Sequence, residues 1–160
     1  MTDATEQFGQ QQVASQRSTI EELETPVIQI WHGVLALPIV GVLDTARAQR
    51  MNETLLQRIV DTGSEIVILD ITGVPLVDTA IAKHLLETVS AARLLGCEVL
   101  LVGLSSRIAM TLVHLGLDLG GVTTRTTLAK GLELAFNRLG LEVIPRRVRG
   151  RSDESADEPL

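Results

Sequence analysis

Apolar positions in this chain fall into short runs, set apart by segments whose apolar residues recur every three or four positions. Residues 66–69, Ile-Val-Ile-Leu, form an unbroken apolar run, as expected of a strand covered on both faces. The strand is read over 65–70, with Gly73 and Pro75 supplying the turn chemistry that ends it. Residues 99–102 repeat the pattern as a second buried strand. Before them, 27–31 and 34–39 join at His32-Gly33 and read as a β-hairpin.

The intervening segments have helical period. Asp44 caps a helix running to about residue 62, with Leu55, Leu56, Ile59 and Val60 as its apolar face and Gly63 as its stop. Asp78 caps a second, over about 79–95, with Ile81, Leu85, Leu86, Val89, Leu94 and Leu95 as a core-facing stripe. A third helix starts at Ser105 or Ser106 and ends by His114, stopped by Gly116. A fourth runs from Thr126 or Thr127 to Leu139 and ends at Gly140, with at most a short strand at 122–124 before it. The order ββαβαβα(β)α predicts an α/β fold: a mixed sheet of four to five strands, antiparallel at one edge, with about four helices.

The ends of the chain differ from its middle. Residues 1–25 are rich in Gln, Thr and Ser, with Ser18 and Thr19 each three before a glutamate, and read as a helical or partly disordered leader. Residues 26–143 form the folded domain, and 144–160 read as a disordered charged tail. In that tail Arg146, Arg147, Arg149 and Arg151 are followed by Asp153, Glu154, Asp157 and Glu158, the pattern of a solvated segment.

Composition narrows the function classes. The chain has 160 residues, 45% hydrophobic and 21% charged, which suits one globular domain. With no Tyr, one Trp (Trp31) and two Phe (Phe8, Phe136), its core must be aliphatic, and it lacks the stacking platform of a single-strand nucleic-acid binder. A net charge of −6 also argues against nucleic acid as a partner. The lone Cys97 permits no internal disulfide and fits a reducing compartment. The polar, acidic N-terminus and the lack of a membrane-length apolar run make a cytoplasmic protein without membrane contact the expectation.

The candidate chemistry lies at two helix starts. In Leu76-Val-Asp78-Thr79-Ala80 and in Val42-Leu-Asp44-Thr45-Ala46, an Asp cap is followed by a threonine at the first helical position. A hydroxyl there suits a phosphate acceptor better than a catalyst, because free N–H groups and the macrodipole favour negative charge. Each neighbouring carboxylate opposes a phosphate, so modification would disturb the local surface more than lock it. Capping alone accounts for Asp and Thr at helix starts, and spacing does not separate the two explanations.

Other chemistries fit less well. Asp70 ends a buried strand as a receiver aspartate would, but the partner acidic pair and lysine are not evident, and loop shaping with Gly73 and Pro75 is its expected role. No P-loop or dinucleotide glycine motif is present. His32, His84 and His114 lack metal-ligand spacing, so neither a metal nor a cofactor is expected.

Taken in order, Asp70-Ile-Thr-Gly-Val-Pro-Leu-Val-Asp-Thr79, Ala92-Arg-Leu-Leu-Gly96 and Val99-Leu-Leu-Val-Gly103 resemble a STAS domain, the fold of anti-sigma-factor antagonists. The likeness is greatest to the C-terminal domain of RsbR-type stressosome proteins, through Thr25-Pro-Val-Ile-Gln-Ile30, Leu37-Pro-Ile-Val-Gly41, Leu43-Asp-Thr45 and Thr111-Leu-Val-His-Leu-Gly116. It covers about residues 25–140.

The resemblance implies a non-enzymatic scaffold that sequesters an RsbT-like serine/threonine kinase and releases it on phosphorylation. It puts the acceptors at Thr79 and Thr45, and implies homo- or hetero-oligomers with RsbS- or RsbR-like paralogues. A one-to-one antagonist of an anti-sigma kinase is the alternative, and a small metabolite- or nucleotide-dependent enzyme the third reading. Two departures stand out. The leader of 25 residues is too short for the sensor domain of RsbR proteins and resembles only the connecting helix. Ser105-Ser106 stands where the family usually has Arg-Pro.

Overall fold

The structure, a computed structural model, describes residues 26–116 and 121–147. Strands β1 (Ile28–Trp31), β2 (Val34–Val40), β3 (Ile66–Gly73), β4 (Glu98–Val102) and β5 (Thr123–Arg125) form one sheet in the order β1-β2-β3-β4-β5. β1 pairs antiparallel with β2 through the His32-Gly33 turn, and the remaining pairs are parallel. Helices α1 (Thr45–Thr62), α2 (Thr79–Leu94), α3 (Ser106–His114) and α4 (Leu128–Arg138) supply the connections and the cover. The α/β mixed sheet is therefore present, with five strands and four helices among the described residues.

The apolar run of β3 is covered on both faces. Val67, Leu69 and Ile71 join Leu35, Leu37 and Ile39 of β2 and Val99 and Leu101 of β4 in the larger core. Ala48, Met51, Leu55 and Ile59 of α1, Ile81, Leu85 and Val89 of α2, and Ile108 and Leu112 of α3 close it. On the opposite face Ile66 and Ile68 join Val34, Leu100 and Val102 beneath Ala135 of α4. That helix lies close: a Cβ at Gly131 would stand 2.6 Å from Val102 Cγ1. The Trp31 and Phe136 rings meet edge to face, 5.5 Å apart, at the rim of this smaller core.

Four sequence expectations shift. β3 runs on to Gly73, because Gly73 pairs with Val40 after an irregularity in register. The inward stripe of α1 is Ala48, Met51, Leu55 and Ile59, which leaves Val60 59% exposed. α2 ends at Leu94, and Leu94 and Leu95 are 89% and 45% exposed instead of core-facing, since Leu94 stands half a turn round the helix from Leu85, away from the buried stripe that ends at Ala92. α4 begins at Leu128, after the Thr127 cap. The leader 1–25 and the tail beyond 147 lie outside the described residues.

The central position of β3 makes its side chains the most costly to truncate. Leu69→Ala is expected to lower stability by about 2–5 kcal/mol, the range for a buried leucine whose cavity cannot collapse. Equilibrium urea unfolding followed by circular dichroism checks it, with the exposed Leu94→Ala as a near-neutral control.

Candidate functional site

Because β2, β3 and β4 are parallel, their C-terminal ends lie at one end of the sheet, and the loops leading to α1, α2 and α3 gather there. Each loop delivers an extended cap residue whose side chain accepts from the third residue on. Asp44 Oδ1 accepts from Arg47 N at 2.7 Å, Asp78 Oδ1 from Ile81 N at 2.8 Å, and Ser105 Oγ from Ile108 N at 3.1 Å. Thr45, Thr79 and Ser106 are the first residues of their helices, and all three are exposed.

The β3–α2 loop is held from inside. Val74 and Val77 are buried, while Pro75 and Leu76 between them face outward. Val74 N donates to Ile71 O at 3.0 Å, and Asp70 Oδ1 accepts from Thr72 N at 2.9 Å and from the Thr72 hydroxyl at 2.5 Å. Gly73 O accepts from Gly41 N at 3.0 Å, tying this loop to the one before α1. The structure thus gathers Asp44, Thr45, Asp70, Gly73, Pro75, Asp78 and Thr79 at one end of the sheet.

Sequence reasoning missed the apolar surface beside them. Val40, Val42 and Leu76 are 68%, 77% and 60% exposed, two of them in loops just ahead of the Asp caps. Their position between turn residues and a cap was the available signal. Arg47 Nη1 donates to Val40 O at 2.6 Å and Val42 O at 3.0 Å, fixing the loop that carries these valines. An open depression of about 540 Å³, lined by Pro26, Pro38, Val40, Val42, Asp44, Arg47 and Arg50, adjoins Thr45. Ser105 and Ser106 form the third helix start of the set.

The remaining candidates lie apart from this end. His84 meets Glu87 on the surface of α2 at 3.7 Å, and His114 sits in the last turn of α3. Among the described residues no group of three His, Cys, Asp or Glu could hold a metal ion, and no helix is long and apolar enough to cross a membrane. Cys97, buried just before β4, has its thiol pushed from 9.0 up to about 11, by burial first and the Glu98 carboxylate second.

A parallel sheet with an antiparallel opening hairpin and hydroxyls at the helix starts is matched by one family over most of the chain: residues 25–131 match the STAS domain. The chain belongs to the STAS domain family. It is 40% identical over 132 residues to the RsbT co-antagonist protein RsbRA of Bacillus subtilis, covering 82% of this chain and 48% of that protein. The chain therefore spans about half the length of the curated relatives it matches. Among solved structures, a variant of Moorella thermoacetica RsbS superposes with a TM-score of 0.65 at 29% identity, covering 73% of this chain and 98% of that one. A chain from the molecular architecture of the stressosome, titled a signal integration and transduction hub, gives 0.59 at 27% identity, covering 71% and 98%.

Two outcomes follow for this STAS domain. Asp78→Ala removes the cap of α2 and is expected to cost about 0.5–2 kcal/mol in urea unfolding, with Asp78→Asn retaining most of it. The Cys97 thiol is held protonated in the folded state, so a thiol reagent at pH 8 is expected to label native protein far more slowly than urea-unfolded protein. The unfolded thiol loses its proton first, so this group's contribution to stability falls as pH rises from 9.0 to about 11.

Proposed function

We propose that this STAS domain is a non-enzymatic regulatory scaffold that binds an RsbT-like serine/threonine kinase and releases it when Thr79 is phosphorylated. The observation that carries the reading is the placing of two exposed threonines, Thr79 and Thr45, at helix starts on one end of the sheet, beside exposed Val40, Val42 and Leu76. The relatives named RsbT co-antagonists support the choice of kinase, and the stressosome chain supports assembly with STAS paralogues.

The physical sequence has two states. Unmodified, the apolar side chains and neutral hydroxyls offer a surface that a kinase can cover at little desolvation cost. A phosphoryl group on Thr79 adds about −1.5 to −2 charges at pH 7. The helix N-terminus favours that charge locally, while the carboxylate of Asp78, the preceding residue, opposes it. A docked partner would have to bury the dianion or match it, and a like-charged contact across an interface costs several kcal/mol, so release follows. Thr45 stands at the neighbouring helix start with the same Asp-Thr arrangement, and sets the threshold or the oligomer contacts in this reading.

Incubation with an RsbT-type kinase and Mg-ATP, followed by mass mapping and affinity measurement, tests it. Phosphate is expected on Thr79, with kinase affinity falling at least about tenfold, or 1.4 kcal/mol. Thr79→Ala is expected to bind the kinase and fail to release it. Thr79 unmodified, together with Thr79→Ala showing unchanged binding and release, would remove the switch. A large complex by light scattering is expected when paralogues are added, whereas a one-to-one complex with a kinase alone would favour a simple antagonist.

A further inference from the structure

The turn after β3 touches the loops on either side of it, through two successive exposed residues. Thr72 donates twice to Asp70 Oδ1, from its backbone N–H and from its hydroxyl. The backbone bond alone is an ordinary Asx turn, which orders residues 70–72 and nothing further. The second contact reaches farther. Gly103, first after β4, lies so close that a Cβ there would collide with Thr72 Oγ1 and stand 2.6 Å from Thr72 N. Real Cβ atoms essentially never come within 3.0 Å, so no other residue fits unless Thr72 moves. Gly103 also has φ +82°, a left-handed conformation that a side chain would strain.

Residue 73 makes the matching contact on the other side. Gly73 O accepts from Gly41 N, and a Cβ at Gly73 would stand 3.2 Å from both Ile39 O and Val40 Cα. The dipeptide Thr72-Gly73 is therefore wedged between the loop that leads to Asp44-Thr45 and the loop that leads to Ser105-Ser106, while its own loop leads to Asp78-Thr79. Thr72 is exposed, so its value to the fold is not apolar burial.

We propose that Thr72 is a positioning residue: held by Asp70 and seated on Gly103, it couples the starts of α1, α2 and α3 and sets the spacing at which Thr45 and Thr79 are presented. The functional half of this statement rests on those threonines being the kinase acceptors, as proposed above. The structural half does not. Removing the hydroxyl leaves Asp70 without its side-chain donor and puts a methyl group where Oγ1 meets Gly103. The turn then shifts, and both flanking loops follow it through contacts too tight to absorb the change.

The test uses the full chain labelled with ¹⁵N, as wild type, Thr72→Val and Thr72→Ser. Thr72→Val alters an exposed side chain without touching the apolar core, and is expected to fold with a modest loss of thermal stability. Amide signals of Gly41, Arg47, Ile81 and Ile108 are expected to move together in Thr72→Val, while that of Ala135 under the far face stays in place. Thr72→Ser, which keeps the hydroxyl, is expected to restore them. Shifts confined to residues 70–74 would overturn the coupling.

A second arm measures kcat/KM of an RsbT-type kinase at Thr79 and at Thr45 separately. Both are expected to fall roughly tenfold in Thr72→Val and recover in Thr72→Ser, since misplacing reacting groups by about 1 Å costs up to about a hundredfold. Moved amide signals with unchanged kinetics would overturn the positioning role. If the kinase leaves wild type unmodified, the functional reading of the threonines fails, and the amide signals still decide the coupling.

Discussion

The structure depends on the burial of β3 on both faces. Ile66, Val67, Ile68 and Leu69 are all within 2% of full burial, with successive side chains pointing into two separate cores. A strand enclosed in this way has no free face on which to build a site, and its edges are spent on β2 and β4. What remains is its C-terminal end. The parallel pairing of β2, β3 and β4 then brings three helix starts to that end together. Ligands and partners of parallel α/β sheets meet the protein at such ends for this reason.

The helix starts at this end pull in two directions electrically. The free N–H groups of the first turn favour a negative group, and the Asp caps already supply one, each spent on a backbone N–H three residues along. A phosphate added at the next residue would enter a place prepared for one negative charge and already holding it. In the proposed switch, the exposed valines and Leu76 are the surface that a phosphate would alter.

The elements were legible because their local signals agree. The double-sided strand could be read from an unbroken apolar run, and the helix starts from Asp-Thr pairs backed by Gly stops. Gly63 at φ +62° closes α1 as a left-handed cap, donating to Ile59 O. The errors lay where local pattern does not decide. Leu94 and Leu95 prolong the apolar run of α2 but not its buried stripe, which ends at Ala92, and Leu94 faces away from the core. The stripe of α1 keeps Leu55 and Ile59 but excludes Val60, because Leu55, Leu56, Ile59 and Val60 offer two adjacent apolar faces and only packing in the larger core selects one.

By itself the sequence determined the element order, the enclosure of β3, the two Asp-Thr helix starts and the family, since each depends on residues near one another in the chain. Only the tertiary structure decided that Thr45 and Thr79 share one end of the sheet, that Val40, Val42 and Leu76 stay uncovered beside them, and that Thr72 is wedged against Gly103. Thr72 and Gly103 are 31 positions apart in the chain. Their contact exists because parallel pairing of β3 with β4 places the two strand ends side by side, a relation no local period encodes.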